Sequence, residues 1–437
     1  MNLLQIAWRN FCHRPLSSIL TTLSLLLGVA LVVIVVSIYG IVRDTFTNNA
    51  TVGYNLVVGP PGSDLQLTLN SVYYLSEPIE NLPYTYLMKF MDQSQRAAAV
   101  ERCGGDPALG QVGGEYESYV AGGYAIPLAL GDFFGKYRLV GTTPEFFEKL
   151  RYGKSVDQEF RFRDGRALET FNEQHGYFEA VLGHQAAKTM DINIGDVINP
   201  SHGSPEGKEH AEGFTVVGIL APTGTPQDRA AFVNLEGFYL MDGHANDVDE
   251  EDAKITSPVA AENQKLREQG RYLELKPLTI PEREVTAILV KTDFMSGPGL
   301  LNAVNESRRA RAAAPVGAIS KLMNLFIGPV AYAMMAITLI TCFVAAVGVL
   351  VAIYNSMNDR RRDIAVMRAL GARRETVTTI IVLESFIVAI LGGVGGWVLA
   401  HAVIALASPW QEDFTGIPLS FFSVSWVEIW IAPVVVG

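Results

Sequence analysis

Two histidines and three carboxylates crowd one short stretch of the chain: His202, Glu206, Glu209, His210 and Glu212. Imidazole and carboxylate together are zinc ligands. The spacing here is irregular, however, and the stretch is a loop rich in Gly and Pro, where such residues are most often simply solvated. The expectation is therefore no metal site, with His202 and His210 as weak candidates. His175 and His184 read as surface or packing residues. The cysteines, Cys12, Cys103 and Cys342, lie far apart, giving neither a disulfide framework nor a zinc-type spacing.

Phosphate chemistry finds no support. A P-loop needs Gly-x-x-x-x-Gly-Lys-Ser/Thr so that backbone amides can wrap the phosphates. The nearest stretch is Gly153-Lys154-Ser155, but Glu148 occupies the first glycine position, where its carboxylate would repel phosphate. No Gly-x-Ser-x-Gly elbow and no His-Glu-x-x-His is present. The chain is expected to be non-catalytic and to bind no cofactor. A net charge of −11 argues against nucleic acid as a partner, because that needs a basic face.

The basic residues that do cluster are Arg360, Arg361, Arg362, Arg368, Arg373 and Arg374, with Asp363 among them. Residues 362–370 favour a helix. Ile364, Met367 and Leu370 recur at helical spacing and form one apolar stripe, and Gly371 can end the helix as its C′ residue. A short helix with an apolar knob can dock into a groove on another protein. The arginines alone could equally be a topology signal.

These residues are positioned by long apolar runs. No charge falls between Arg14 and Arg43, and none from Leu322 to Tyr354. A third run, Val377 to Ala407, contains only Glu384 and His401 as ionisable groups, both near its ends. Each run exceeds the roughly 20 residues a bilayer core requires. The first is too long for the apolar part of a cleaved signal peptide. Gly328-Pro329 suggests a bend or late start in the second. The glycines at 392–396 allow close helix approach in the third. A fourth run from Trp426 to Gly437 would span only about 18 Å, so the expectation is a chain cut inside its last helix.

Orientation follows from the positive residues. Arg9 and Arg14 precede the first run, six arginines lie between the second and third, and residues 408–425 hold no Lys or Arg. Positive segments stay in the cytoplasm. Residues 43–321 carry 26 Lys and Arg against 38 Asp and Glu, a net of −12. This acidic segment is then extracytoplasmic. Alternation predicts strands at Tyr54–Val58, Leu65–Leu69, Tyr137–Val140, Phe214–Leu220 and Val285–Val290. Helices are expected at His184–Met190, Gln264–Gln269 and Leu300–Ala313. Asn193–Ile198 reads as a turn into a strand, and Ala245–Ala253 as an acidic loop. The class is α+β.

Three stretches resemble the MacB/FtsX-like family of ABC-transporter permeases. The first is MNLLQIAWRNFCHRPLSSILTTLSLLLGVALVV, with its basic-Pro break and Gly28. The second is VLGHQAAKTMDINIGDVI followed by FTVVGILAPTGTPQDRAAFVNLEGFY. The third and most specific is YNSMNDRRRDIAVMRALGARRETVTTIIVLES. The resemblance implies a membrane protein with an α-helical transmembrane bundle of four helices and a large α+β extracytoplasmic domain between helices 1 and 2. It implies that Arg360, Arg361, Arg362, Asp363, Ile364, Met367, Arg368, Leu370, Gly371 and Arg373 couple this chain to a separate ABC ATPase subunit, which uses the ATP. It further implies pairing with a second permease, in a homodimer or related heterodimer, contact with membrane lipid, and a possible periplasmic adaptor in the cell inner membrane.

The expected divisions are a cytoplasmic amphipathic segment at 1–15, transmembrane helix 1 at 16–42, and the extracytoplasmic domain at 43–321, in two lobes. Helix 2 follows at 322–354, the cytoplasmic coupling loop at 355–376, helix 3 at 377–407, an extracytoplasmic loop at 408–425 and the start of helix 4 at 426–437. The expected function is a permease subunit that turns ATP hydrolysis elsewhere into movement of the outer domain, for export or extraction of a lipophilic, peptide or lipoprotein cargo. The alternative is an FtsX-like signalling or scaffold protein that regulates an extracytoplasmic partner without transporting cargo.

Overall fold

The computed structural model describes residues 3–13, 15–49, 53–153, 155–244, 258–359, 365–366, 368–369, 371 and 373–415. The chain divides into two compact units, Met1–Thr45 with Met323–Gly437, and Phe46–Leu322. Each is described by itself.

The first unit is helical. Leu3–His13 is a short amphipathic helix that buries Ala7, exposes Leu4 and Trp8, and packs on the long helix Arg374–Thr415. Pro15 opens the next helix, Pro15–Asn49. Its fixed φ and missing N–H suit a first helical position. Among the described residues, three helices are long and apolar enough to cross a membrane, over Ser18–Ile41, Pro315–Gly348 and Arg374–Ser408. The middle one contains a π-helical turn, Met323–Ile327, directly before Gly328–Asp359. Pro329 lacks an N–H and its ring crowds the preceding turn, so the wider turn falls where the ordinary ladder is hardest to close.

The helix Arg374–Thr415 runs on through residues 408–415, where a loop was expected. Hydropathy marks where a membrane can end. The hydrogen-bond ladder is indifferent to it. Residues 416–437, including the expected fourth run, lie outside the described residues.

Close packing joins helix Pro15–Asn49 to helix Arg374–Thr415. Val29, Ala30, Val33 and Ala400 form its buried centre. Glycine is what permits the approach: a Cβ on Gly396 would lie 2.5 Å from the Leu26 carbonyl oxygen and 2.8 Å from Val29 Cβ.

The second unit is a large α/β domain. Its strands are β1 (Leu56–Gly59), β2 (Leu82–Pro83), β3 (Tyr124–Phe134), β4 (Tyr137–Thr142), β5 (Arg151–Tyr152), β6 (Gln158–Glu159) and β7 (Phe162–Gly165). They continue with β8 (Glu179–Leu182), β9 (Val197–Ile198), β10 (Phe214–Leu220), β11 (Ala230–Asn234), β12 (Glu284–Val285), β13 (Ala287–Lys291) and β14 (Arg311–Ala313). Ten of them make one mixed sheet in the order β14-β1-β13-β3-β4-β11-β8-β10-β7, with β9 beside β10.

The long strand β3 carries the design. Its first residues pair with β13 and its later ones with β4, both antiparallel. One sheet therefore supports two cores. The first gathers Leu56, Val58, Leu87, Met88, Ile288 and Leu300, and the helices Gln93–Cys103 and Ser296–Glu306 contribute to it. The second gathers Leu139, Leu182, Phe214, Val216 and Phe238, with the helices His184–Met190, Leu235–Tyr239 and Pro258–Glu268. Strand alternation turns Phe232 to the other face, where it meets Phe146 and Phe147.

Two local expectations fail. Leu65–Leu69 lies in a helix, Asp64–Ser71, that buries Leu67, Thr68, Asn70 and Ser71. Five alternating residues do not separate helix from strand, and packing decides. Leu300–Ala313 is not one helix. The helix ends at Glu306, Arg308 takes φ 55°, and β14 completes the sheet edge beside β1. Asn305 holds that return through its side chain, which bonds both the N–H and the carbonyl of Ala312.

Candidate functional site

The chemistry-bearing residues of the large domain meet at the far end of β3. Between Leu130 and Phe133 the pairing of β3 with β4 shifts by one residue, a β-bulge. Bulges re-aim side chains, and here the bulged stretch carries Asp132, whose side chain is 1% exposed. Phe133 then exchanges backbone hydrogen bonds with Ser201, at 3.0 and 2.8 Å, and so pins the loop that carries His202 and His210. The turn after helix Leu235–Tyr239 brings in His244, whose ring packs on Phe238 at 4.7 Å.

Asp132 Oδ2 lies 3.0 Å from His210 Nε2 and 2.9 Å from His244 Nε2, and Oδ1 lies 3.3 Å from His202 Nδ1. The two Nε2 atoms are 3.4 Å apart. The imidazole centroids form a near-regular triangle with sides of 5.4, 5.4 and 5.1 Å. The Gly203 N–H donates to Oδ1 at 3.3 Å. Burial alone would raise the Asp132 carboxyl, but the imidazoles of His210 and His244 outweigh it and hold the group below the usual carboxylate range. The cluster can concentrate lone pairs on one point in a largely buried setting.

Sequence alone found half of this set. His202 and His210 are in it. Glu206 and Glu209 are exposed, and Glu212 is buried 3.1 Å from Arg267 instead. Asp132 and His244 were missed. Asp132 left a signal: it continues the alternating positions Ile126, Leu128 and Leu130, so an acid stands where the strand buries apolar side chains. His175 caps nothing metal-like, its N–H bonding Asn172 Oδ1 at 3.2 Å, and His184 opens a helix. Gly153, the phosphate-loop decoy, lies between β5 and β6, which pair as a hairpin.

A second polar feature lies at the seam of the two cores. Arg283 is fully buried and makes a bidentate pair with Glu236, at 2.9 and 2.5 Å. Burial opposes the arginine's charge, but Glu236 outweighs it and holds the guanidinium above its usual value. Tyr84 from the first core and Tyr239 from the second flank the cation at 5.4 and 5.3 Å. Beside this pair a cleft of about 680 Å³ opens, with Leu87, Arg102, Tyr124, Lys149 and Glu236 on its walls.

Of the arginine-rich segment, Arg360, Arg361, Arg362, Asp363, Ile364, Met367 and Leu370 lie outside the described residues. Arg368 is helical and exposed, as is Val366. Gly371 has φ 96°, in the left-handed region, and its N–H bonds the Arg368 carbonyl at 3.1 Å. Arg373 is exposed directly before the helix that starts at Arg374. In that helix His401 is 2% exposed and lies against Trp397, with ring centroids 4.3 Å apart.

Comparison with known proteins adds three findings. Residues 18–263 match the MacB-like periplasmic core domain, and residues 335–437 match the FtsX-like permease C-terminal family. The chain is 24% identical over 262 residues to an uncharacterised ABC transporter permease of Methanocaldococcus jannaschii. That alignment covers 57% of this chain and 54% of the relative, so the chain spans about half the length of the curated protein it matches.

Proposed function

This chain belongs to the MacB/FtsX-like family of ABC transporter permeases, and from that premise we propose that it is the non-catalytic membrane subunit of such a system. A separate ATPase subunit hydrolyses ATP. Residues 360–373 receive its motion, and the helices pass that motion to the large domain, which lies outside the cytoplasm. The cargo is lipophilic, a peptide or a lipoprotein. The complex contains a second permease, and a periplasmic adaptor extends it where the cell has one.

The observation that carries this reading is the pairing of both family matches on one chain that contains no phosphate-binding loop. This sequence has the parts to be moved and no P-loop motif, so in this reading the energy arrives through contact with a separate subunit. The apolar stripe of Ile364, Met367 and Leu370, flanked by arginines, is the contact chemistry available on the basic loop.

The test is co-purification with an ABC ATPase encoded nearby, and the ATPase rate of the reconstituted complex. Met367→Asp and Leu370→Asp should each abolish both co-purification and stimulation. Full complex formation with both variants would overturn the coupling assignment. A complex that hydrolyses ATP and captures a protein partner, yet moves no cargo in proteoliposomes, would favour a signalling or scaffold role.

A further inference from the structure

We propose that Asp132, His202, His210 and His244 form a binding site for one divalent transition-metal ion of the zinc class. The inference stands on the large domain alone and does not depend on the permease reading.

The distances carry it first. Zinc holds His nitrogen and carboxylate oxygen at about 2.0–2.2 Å in a tetrahedron, whose edges are then about 3.3–3.6 Å. Around Asp132 Oδ2 the edges to His210 and His244 are 3.0 and 2.9 Å and the edge between their Nε2 atoms is 3.4 Å, while His202 Nδ1 approaches the other carboxylate oxygen at 3.3 Å; one donor atom from each of the four residues lies within 4.8 Å of the other three. Three imidazoles and a carboxylate thus already outline the vertices of such a site, slightly contracted along the Asp132 edges.

Hydrogen bonding carries it second. A purely structural cluster would aim imidazole N–H groups at the buried carboxylate. Asp132 Oδ2 instead closes no hydrogen bond of ordinary geometry, although two imidazole nitrogens lie within 3.0 Å. Buried polar atoms are nearly always satisfied, and an exception needs an explanation. A cation between the four donors supplies one, since each donor then directs a lone pair at it.

The donor set narrows the ion. Imidazole-rich sites select zinc and its transition-metal neighbours, while magnesium and calcium prefer oxygen ligands. Four protein ligands leave no open position, which is the pattern of a structural or sensing site and not of a hydrolytic one. Asp132, His210 and His244 are buried at 1%, 6% and 10% exposure, whereas His202 is 58% exposed. The ion therefore enters from the His202 side. Once bound, it clasps strand β3, the loop of residues 201–210 and the turn after helix Leu235–Tyr239.

The experiment uses the full chain in detergent, stripped with a chelator, dialysed and supplied with Zn²⁺ alone. About one ion per chain should survive gel filtration, and the thermal unfolding midpoint should rise with Zn²⁺. Co²⁺ in its place should give the intense visible bands of a tetrahedral centre. His202→Gln, at an exposed position that should not disturb folding, should weaken Zn²⁺ binding by about tenfold or more. His210→Gln with His244→Gln should remove the ion and the thermal shift, while His175→Gln should change neither. The proposal fails if the parent keeps no ion, if Co²⁺ gives only weak octahedral bands, or if His202→Gln binds Zn²⁺ like the parent.

Discussion

Arg283 and Glu236 show how much a single buried pair can decide. Both are nearly inaccessible, and their two hydrogen bonds satisfy an Arg283 charge that would otherwise be stranded between the cores, while Glu236 also lies 3.5 Å from Arg102. Removing one partner of such a pair costs about 3–5 kcal/mol, because the other charge stays buried. Glu236→Gln should therefore lower the stability of the large domain by that order, read as a fall in the urea midpoint. Replacing both, Glu236→Leu with Arg283→Met, should recover most of the loss. If the double variant is no better than the single one, the pair is net stabilising and the desolvation argument fails here. Neither residue stood out in the sequence, because partners 47 positions apart have no local signature. The histidine cluster was half legible for the same reason. His202 and His210 are neighbours in the chain, but Asp132 and His244 reach them only through the sheet.

Elements were legible where their pattern is long. The apolar runs announce three helices, and β4, β10 and the Glu179–Met190 strand-helix unit follow from alternation and turn residues. The pattern fails in short stretches such as Asp64–Ser71, where Ser63 and Asp64 open a helix that the alternation of three leucines disguises. The glycines at 392–396 were read as sites of close helix approach. A Cβ on Gly392 would come within 2.8 Å of Leu25, and one on Gly396 would meet the Leu26 backbone. A side chain end can rotate away, but a backbone carbonyl cannot. Gly396→Val should thus force the two helices apart at a cost of about 1–3 kcal/mol, the range for overpacked sites. Gly348→Ala, with nothing within 4 Å of the added atom, should be close to neutral. Thermal melts in one detergent compare them. Equal midpoints for the two variants would show that glycine is not what sets this contact.

At the scale of the whole molecule, the question is which side of the membrane each part occupies, and charge is the argument. Six arginines lie between Arg360 and Arg374, while residues 43–321 carry a net −12. Insertion keeps short arginine-rich connectors in the cytoplasm, whereas long domains cross largely regardless of their charge. On that rule the loop is expected in the cytoplasm and the acidic domain on the other side. Cysteine labelling can read this directly. Cys103 is buried and Cys12 is exposed, so Cys12→Ser with Cys342→Ser gives a quiet background. On it, Asp363→Cys should react with a membrane-impermeant maleimide only after the cytoplasmic face is opened. Glu250→Cys should react in intact cells whose outer face is accessible to the reagent. The two sites must behave oppositely if the single apolar run between them, Leu322 to Tyr354, crosses once. Reaction of both from the same side would mean that this run does not cross, and would remove the route by which an ATPase on the inside could move the large domain.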